Sequence, residues 1–203
     1  MNLRRYINPT RSRERRYRKI CELVDLRPEH RVLDVGCGSG NSFEAFNDRN
    51  QIVDLDIYPE QTVFQGNFRY VVGNGADMSS FGDKEFDVVV CIGVLEHISP
   101  FEKLERMAKE IQRVGKAYVL VVPHYFTPIE PHYQLPLWQF YSDRFKSFLT
   151  RHFSMGSYKR NPSGEFRQLN YFRKEKWLSL FPGASVASYN HIWFLIRDYI
   201  VYG

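Results

Sequence analysis

The stretch VLDVGCGSG, residues 32–40, decides how this chain is to be read. Val32, Leu33 and Val35 form a short apolar run interrupted only by Asp34, the pattern of a buried strand that ends beside an acid. Glycine at 36, 38 and 40 then permits a tight turn whose backbone can approach a ligand closely, with a helix expected to begin near Ser39. A dinucleotide fingerprint needs a further glycine at the sixth position from Gly36, where this chain has Asn41. A carboxylate beside a pyrophosphate would be repelled. The turn therefore suits a nucleotide-like ligand that carries an ammonium group and little phosphate.

Four further segments follow in order. IVDLDI at 52–57 has strand character, and its Asp56 stands 20 residues beyond Gly36. VVGNGADM at 71–78 reads as a strand and a turn, FDVVVCIGVLEHI at 86–98 as a strand closed by a leucine-acid-histidine turn, and KAYVLVVP at 116–123 as a fifth strand. Together these segments resemble the motifs of the class I S-adenosylmethionine-dependent methyltransferases. The resemblance implies an α/β, Rossmann-like sheet of seven strands in the order 3-2-1-4-5-7-6, with strand 7 antiparallel and helices on both faces. It also implies S-adenosylmethionine as cofactor. In that case Asp34 orients the turn of Gly36, Cys37, Gly38 and Gly40 and the methionine end, directly or through water. Asp56 holds the ribose hydroxyls, and Ile57 packs on the adenine ring. Asn74, Gly75, Ala76 and Asp77 meet the adenine edge, with the backbone of Cys91 and Ile92 near the methionine moiety.

Length supports one domain, residues 1–203, with a single sizeable core. The longest apolar stretches are strand-length, and IWFLIRDYIVY at 192–202 is broken by Arg197 and Asp198, so a membrane span is not expected. The charged start lacks the apolar core of a secretory signal. Cys21, Cys37 and Cys91 are not spaced for zinc or a disulfide framework, which points to a reducing cytoplasm. Cys37 reads as a small residue filling the turn rather than a nucleophile. Charge is uneven: residues 1–19 carry +7 and residues 120–180 carry +5, while the chain as a whole carries +5. Positive charge thus concentrates on both flanks of the cofactor core, where an anionic partner can be engaged.

Residues 9–26 are predicted as a helix, with Tyr17, Ile20, Cys21 and Val24 on one face and Arg11, Arg15 and Arg18 on another. By resemblance such a helix lies over the cofactor pocket. The link from Asp56 to Phe68 has only eleven residues, near the minimum for a parallel crossover, so that side of the adenine pocket is expected to be thinly covered. FEKLERMAKEIQRVG at 101–115 reads as a helix with Leu104, Met107, Ala108 and Ile111 inward and Gly115 as its C-terminal stop. RKEKWLSLF reads as a helix, and ASVASYN and HIWFLIRDYIVY as two strands separated by a turn.

Methyl transfer asks the protein to align a nucleophile and, for a hydroxyl, to remove its proton. Four residues, Ile92, Gly93, Val94 and Leu95, stand where enzymes of exocyclic base amines carry Asn/Asp-Pro-Pro-aromatic, and no cysteine follows Cys91 for attack on a pyrimidine. A catechol-type magnesium set is not recognisable, and no metal is expected. The segment 123–170 is read as a lid inserted after strand five. Its prolines at 123, 128, 131 and 136 favour a stiff, extended loop. Within it, Glu130 and His132 flank Pro131. A histidine oriented by a carboxylate is a natural general base for an alcohol. Alternatively, the two only anchor the loop, or His124, His132 and Glu130 form a metal site. For His97 the resemblance implies a structural or cofactor-supporting role. LWQFYSDRFKSFLTRHF at 137–153 reads as one helix with Trp138, Tyr141, Phe145, Phe148 and Leu149 on one side and Arg144, Lys146, Arg151 and His152 interleaved. That pattern suits an amphipathic acceptor or an anionic membrane surface.

The EPHY loop, the aromatic helix and W-L-x-L-F-P-G resemble a group of bacterial methyltransferases associated with surface polysaccharides and glycolipids. The expected activity is methylation of a small molecule, glycan or lipid-linked sugar, most readily at oxygen. Two rivals stand beside it: an RNA-directed methyltransferase, and a non-catalytic module that binds the cofactor and a partner.

Overall fold

A computed structural model of the chain describes residues 9–38, 50–59, 68–192 and 195–203. Gly40, the helix expected from Ser39 to Phe46 and most of the Asp56–Phe68 link lie outside the described residues. Seven strands form one sheet in the order β3-β2-β1-β4-β5-β7-β6. They are β1 (Arg31–Val35), β2 (Gln51–Asp56), β3 (Phe68–Val72), β4 (Phe86–Ile92), β5 (Gly115–Pro123), β6 (Ser185–Ile192) and β7 (Ile196–Tyr202). The first five pair in parallel, and β7 runs antiparallel to both β5 and β6. This is the architecture expected from the motif order.

The alternation of side chains along each strand gives the sheet two apolar faces. Leu33, Val35, Val89, Cys91, Leu120 and Val122 point to one face, under α2 (Phe101–Val114) and α4 (Lys174–Leu180), which contribute Leu104, Ile111 and Trp177. Val32, Val88, Val90, Val119 and Val121 point to the other, where α1 (Pro9–Leu23) packs Tyr17 and Ile20. Each such fully buried Leu, Ile or Val contributes about 1.5–3 kcal/mol. The first helix therefore ends three residues earlier than its periodicity suggested and lies against the sheet. Among the described residues, none of α1 lines the pocket beyond the carboxyl ends of the strands.

Gly115 does not end α2 through a left-handed turn; its φ is −97° and it opens β5 directly. Glycine is required there for space, because a Cβ would stand 2.6 Å from Val89 Cγ2 and 2.8 Å from the Ala117 carbonyl. At the end of the sheet, β6 continues past Asn190 to Ile192, with an irregularity between those residues, so the strand does not end before His191.

The segment after β5 departs from two expectations. The proline-rich loop is not extended but doubles back: Ile129 bridges Pro136, Glu130 N–H donates to the Leu135 carbonyl, and Leu137 N–H donates to Pro128. Residues 137–153 form two elements, a 3₁₀ turn at Trp138–Phe140 and α3 (Asp143–His152). Leu137 is left-handed (φ 51°), and Ser142 caps α3 by accepting the Phe145 N–H. The aromatic stripe is consequently divided. Trp138 is buried against Tyr133 and Met155 in a small core of its own, with Leu149 packed on it, whereas Phe145 and Phe148 are exposed. Lys146 is not a surface charge. It is buried, with its ammonium 5.8 Å from the Trp138 ring centre and 5.5 Å from that of Phe166.

Candidate active site at the carboxyl end of the sheet

Strand order reverses between β1 and β4, and the crevice beyond the carboxyl ends at such a point is where open α/β sheets bind ligands. A pocket of about 250 Å³ lies there. Gly36, Asp56 and Ile57 form one wall, Gly73, Asn74 and Gly75 a second, and Gly93, Val94 and His97 a third.

The turn after β1 explains its glycines. Gly36 and Gly38 have φ of 79° and 61°, a left-handed backbone that side chains resist, and a Cβ on Gly36 would collide with Val94. Asp56 holds this turn: one carboxylate oxygen accepts the Gly38 N–H at 2.8 Å and the other accepts the Tyr58 N–H at 3.1 Å. Gly36 N–H donates to the Leu55 carbonyl at 2.7 Å. The turn-orienting part expected of Asp34 thus falls to Asp56. Asp34 is buried beside the register-paired Asp54 and does not line the pocket. Burial, then the charges of Asp54 and Asp56, push its carboxyl well above the usual range. Cys37 is likewise buried, and burial followed by the neighbouring acids raises its thiol, the opposite of an activated nucleophile.

Of the four residues expected at the adenine edge, Asn74 and Gly75 line the pocket, but Ala76 and Asp77 do not. Asn74 Oδ1 accepts the Ala76 N–H, and the Asp77 N–H returns to the Asn74 carbonyl, so the chain turns away, burying Ala76 and leaving Asp77 exposed. Ile57 lines the pocket and is 57% exposed, open for a flat ring to cover. The Ile92 side chain shares the α1 face with Val90, and Gly93 (φ 70°) and Val94, the next two residues, line the pocket.

Past the third wall the structure gathers four titratable side chains. The 3₁₀ turn Leu95–His97 follows β4 and buries Glu96. The doubled loop after β5 brings His132 against it, with the His97 and His132 rings edge to face at 4.9 Å. His132 Nδ1 stands 2.6 Å from Glu130 Oε1, and Glu130 Oε2 accepts the Tyr133 N–H. Burial works against the charged form of both partners. Even so, their mutual hydrogen bond and charge leave Glu130 below and His132 above the ordinary value, as expected of an ion pair. Burial pushes Glu96 up to about 7, while burial and then the charge of His132 bring His97 down to about 4. Glu96 Oε2 and His97 Nδ1 are buried without a hydrogen-bond partner.

Three supporting residues were missed in the sequence. Asn170 clamps the Glu96 turn: its side-chain amide donates to the carbonyls of Leu95 (3.0 Å) and Ile98 (2.8 Å), and its N–H donates to that of Glu96 (2.8 Å). Arg167 and Lys103 line the pocket and supply its positive charge. All three approach the turns after β3 and β4 from remote segments or a helix flank, and no local pattern marks them. His124 does not join the cluster; it stacks on Tyr199 at 4.1 Å, and its Nδ1 accepts the Phe126 N–H.

Residues 33–121 match the family model described as a methyltransferase domain. An uncharacterized methyltransferase of Bacillus subtilis, YcgJ, is 30% identical over 122 residues, 55% of this chain and 47% of that protein. Across the curated relatives it matches, the alignment covers 24% to 47% of their length. Among solved structures, a Burkholderia thailandensis 1,6-didemethyltoxoflavin N1-methyltransferase, bound to its substrate and S-adenosylhomocysteine, superposes with a TM-score of 0.62. It is 11% identical, covering 96% of this chain and 78% of that one. Magnesium protoporphyrin IX methyltransferase from Synechocystis, with bound S-adenosylhomocysteine, gives 0.60 at 15% identity, covering 95% and 81%. Residues 33–121 thus resemble a methyltransferase domain, and the seven-stranded sheet that holds them has the fold of these solved methyltransferases.

Proposed function

We propose that this protein binds S-adenosylmethionine in the pocket between β1 and β4 and methylates a hydroxyl of a small molecule, glycan or lipid-linked sugar. The observation that carries the reading is the Asp56 carboxylate. It anchors the Gly38 amide while lining the pocket, so a single group joins the turn to the ligand site. The glycine cradle fits the cofactor: a Cβ on Gly38 would meet nothing within 4 Å, and one on Gly75 would stand 2.8 Å from Met107 and 2.9 Å from Val35. Asp56 would hold the ribose, Ile57 the adenine face, Asn74 and Gly75 its edge, and Gly36, Gly93 and Val94 the methionine end. The cofactor supplies an activated methyl group. His132, held by the buried Glu130, takes the acceptor's proton, and Arg167 favours an acceptor that carries an anionic group.

The peripheral surface of the lid fits an anionic lipid interface. Phe145, Phe148 and Phe153 are exposed beside Arg144, Arg151, Lys159 and Arg160, and the basic stripe of α1 adds to the same charge balance. No helix among the described residues is long or apolar enough to cross a membrane. The experiment that tests the function is transfer of a tritiated methyl group from S-adenosylmethionine into pooled polar and lipid-linked extracts. The expected result is a labelled, alkali-stable methyl ether. Label in nucleic acid, or none above that of an Asp56→Ala control, would reject it.

A further inference from the structure

We propose that Glu96, His97 and His132 are the ligands of a divalent transition-metal ion, a site that the sequence did not lead us to expect. One ligand atom from each lies within 4.8 Å of the others, where the turn after β4 meets the loop after β5, with Glu96 buried and both histidines partly exposed. Bonds of about 2.1 Å at a tetrahedral angle place ligand atoms about 3.4 Å apart, so side-chain rotation of roughly an ångström closes the set. Two polar atoms already lack partners there, Glu96 Oε2 and His97 Nδ1. Buried polar atoms are rarely left unsatisfied, because an unmet buried donor or acceptor is destabilising.

His132 is oriented as a metal-binding histidine is. Its Nδ1 is engaged by Glu130 at 2.6 Å, which leaves Nε2 for the ion and supplies the carboxylate–histidine support that fixes ring direction. Glu130 is itself fully buried and tied to the Tyr133 N–H. The Glu96–His97 turn is held from the opposite side by Asn170. A clash between a Cβ at Gly156 and the His132 carbonyl shows how closely the chain at 155–158 grips the His132 backbone, to which Ser157 N–H also donates. The ligands are therefore preorganised on three sides. Two imidazoles and one carboxylate suit zinc, manganese, iron(II) or cobalt better than magnesium or calcium. His97 also lines the cofactor pocket, so the ion borders the space where methyl transfer is proposed. With Nε2 ligated, His132 is not a base, so the general-base role proposed above belongs to the metal-free protein. That consequence rests on the proposed methylation, whereas the ion site does not.

The test uses the tag-free full chain, stripped with chelator and titrated with Zn²⁺ and Co²⁺, while binding of S-adenosylhomocysteine is followed separately by calorimetry. One equivalent of zinc is expected, with X-ray absorption showing two imidazoles, oxygen and no sulfur. Glu96→Gln and His132→Asn should weaken zinc at least about 100-fold, since even supporting residues change affinity by about 10- to 100-fold, the range expected of Glu130→Gln. S-adenosylhomocysteine binding within about threefold of wild type shows that the variants are folded. Substoichiometric zinc, sulfur in its coordination shell, or unchanged affinity in both folded variants overturns the proposal. Should the variants not fold, the wild-type absorption spectrum alone decides. Zinc binding without S-adenosylhomocysteine binding would count against the methyltransferase reading and leave the ion site standing.

Discussion

Replacing Asp56 with alanine probes the turn and the ligand site at once. Both carboxylate oxygens already accept a backbone N–H, from Gly38 at 2.8 Å and Tyr58 at 3.1 Å. A carboxylate offers about four acceptor positions, which leaves roughly two for the hydroxyls of a ribose. A hydrogen bond to a charged group contributes about 1.5–3 kcal/mol, and part of that is repaid by water in the empty pocket, so losing the ribose pair should cost about 2–4 kcal/mol. That equals about 30- to 1000-fold in affinity. The variant also strands the Gly38 amide, and a drop of about 1–3 kcal/mol in stability is expected alongside. Calorimetry with S-adenosylhomocysteine measures the first effect and urea unfolding the second. Asp56→Asn, which retains one acceptor oxygen, should fall between wild type and Asp56→Ala in both. A stability loss with unchanged affinity would refute the reasoning, because Asp56 would then be a staple for the turn and nothing more.

In the chelator-stripped protein, His132→Ala should lower turnover by about 100- to 10,000-fold with cofactor affinity nearly intact, measured by single-turnover methyl transfer once the labelled acceptor is isolated. Near-normal turnover would remove His132 from the reaction. Asn170→Ala should destabilise the chain by about 1–3 kcal/mol in urea unfolding, because the carbonyls of Leu95 and Ile98 lose their donor. An unchanged midpoint would mean that water replaces the amide freely. Glu110 accepts from Arg113 at 2.7 Å and from the Met78 N–H at 2.7 Å, and the Arg113 bond chiefly holds its carboxyl below the ordinary 4.5. Its contribution to stability is therefore complete above about pH 4.5 and is lost as pH falls through the lower folded value. Glu110→Gln should flatten that part of a stability–pH profile, and an identical profile would discount the pair. Co-sedimentation should favour anionic over neutral vesicles and weaken with salt, by about 1 kcal/mol for each engaged Lys or Arg. Equal binding to both vesicle types would sink the lid's proposed role.

The strands could be read from the sequence because their determinants are local and repeated, whereas their order in the sheet was implied by the resemblance. Strand alternation in VLDV, DVVVCI and YVLVVP, together with glycine where the backbone turns left-handed at 36 and 38, states the order of elements without reference to anything remote. Asp56 was picked out through the resemblance, by its place at the end of the second strand 20 residues beyond Gly36. The residues that shape the site beyond the turn were decided by tertiary contacts. Asp56 rather than Asp34 receives the Gly38 amide because parallel pairing brings the end of β2 alongside the turn, a distance that spacing along the chain does not encode. The aromatic helix broke at Leu137 and Ser142 because Trp138 gains more from stacking on Tyr133, with centroids 3.9 Å apart, than from continuing an exposed stripe. Lys146 went inward with it. The meeting of Glu96 and His97 with His132, and the hold of Asn170 upon them, joins segments from three separate loops. Local propensity is blind to such contacts, since each loop satisfies its own backbone equally well in other positions and only the packed lid chooses among them.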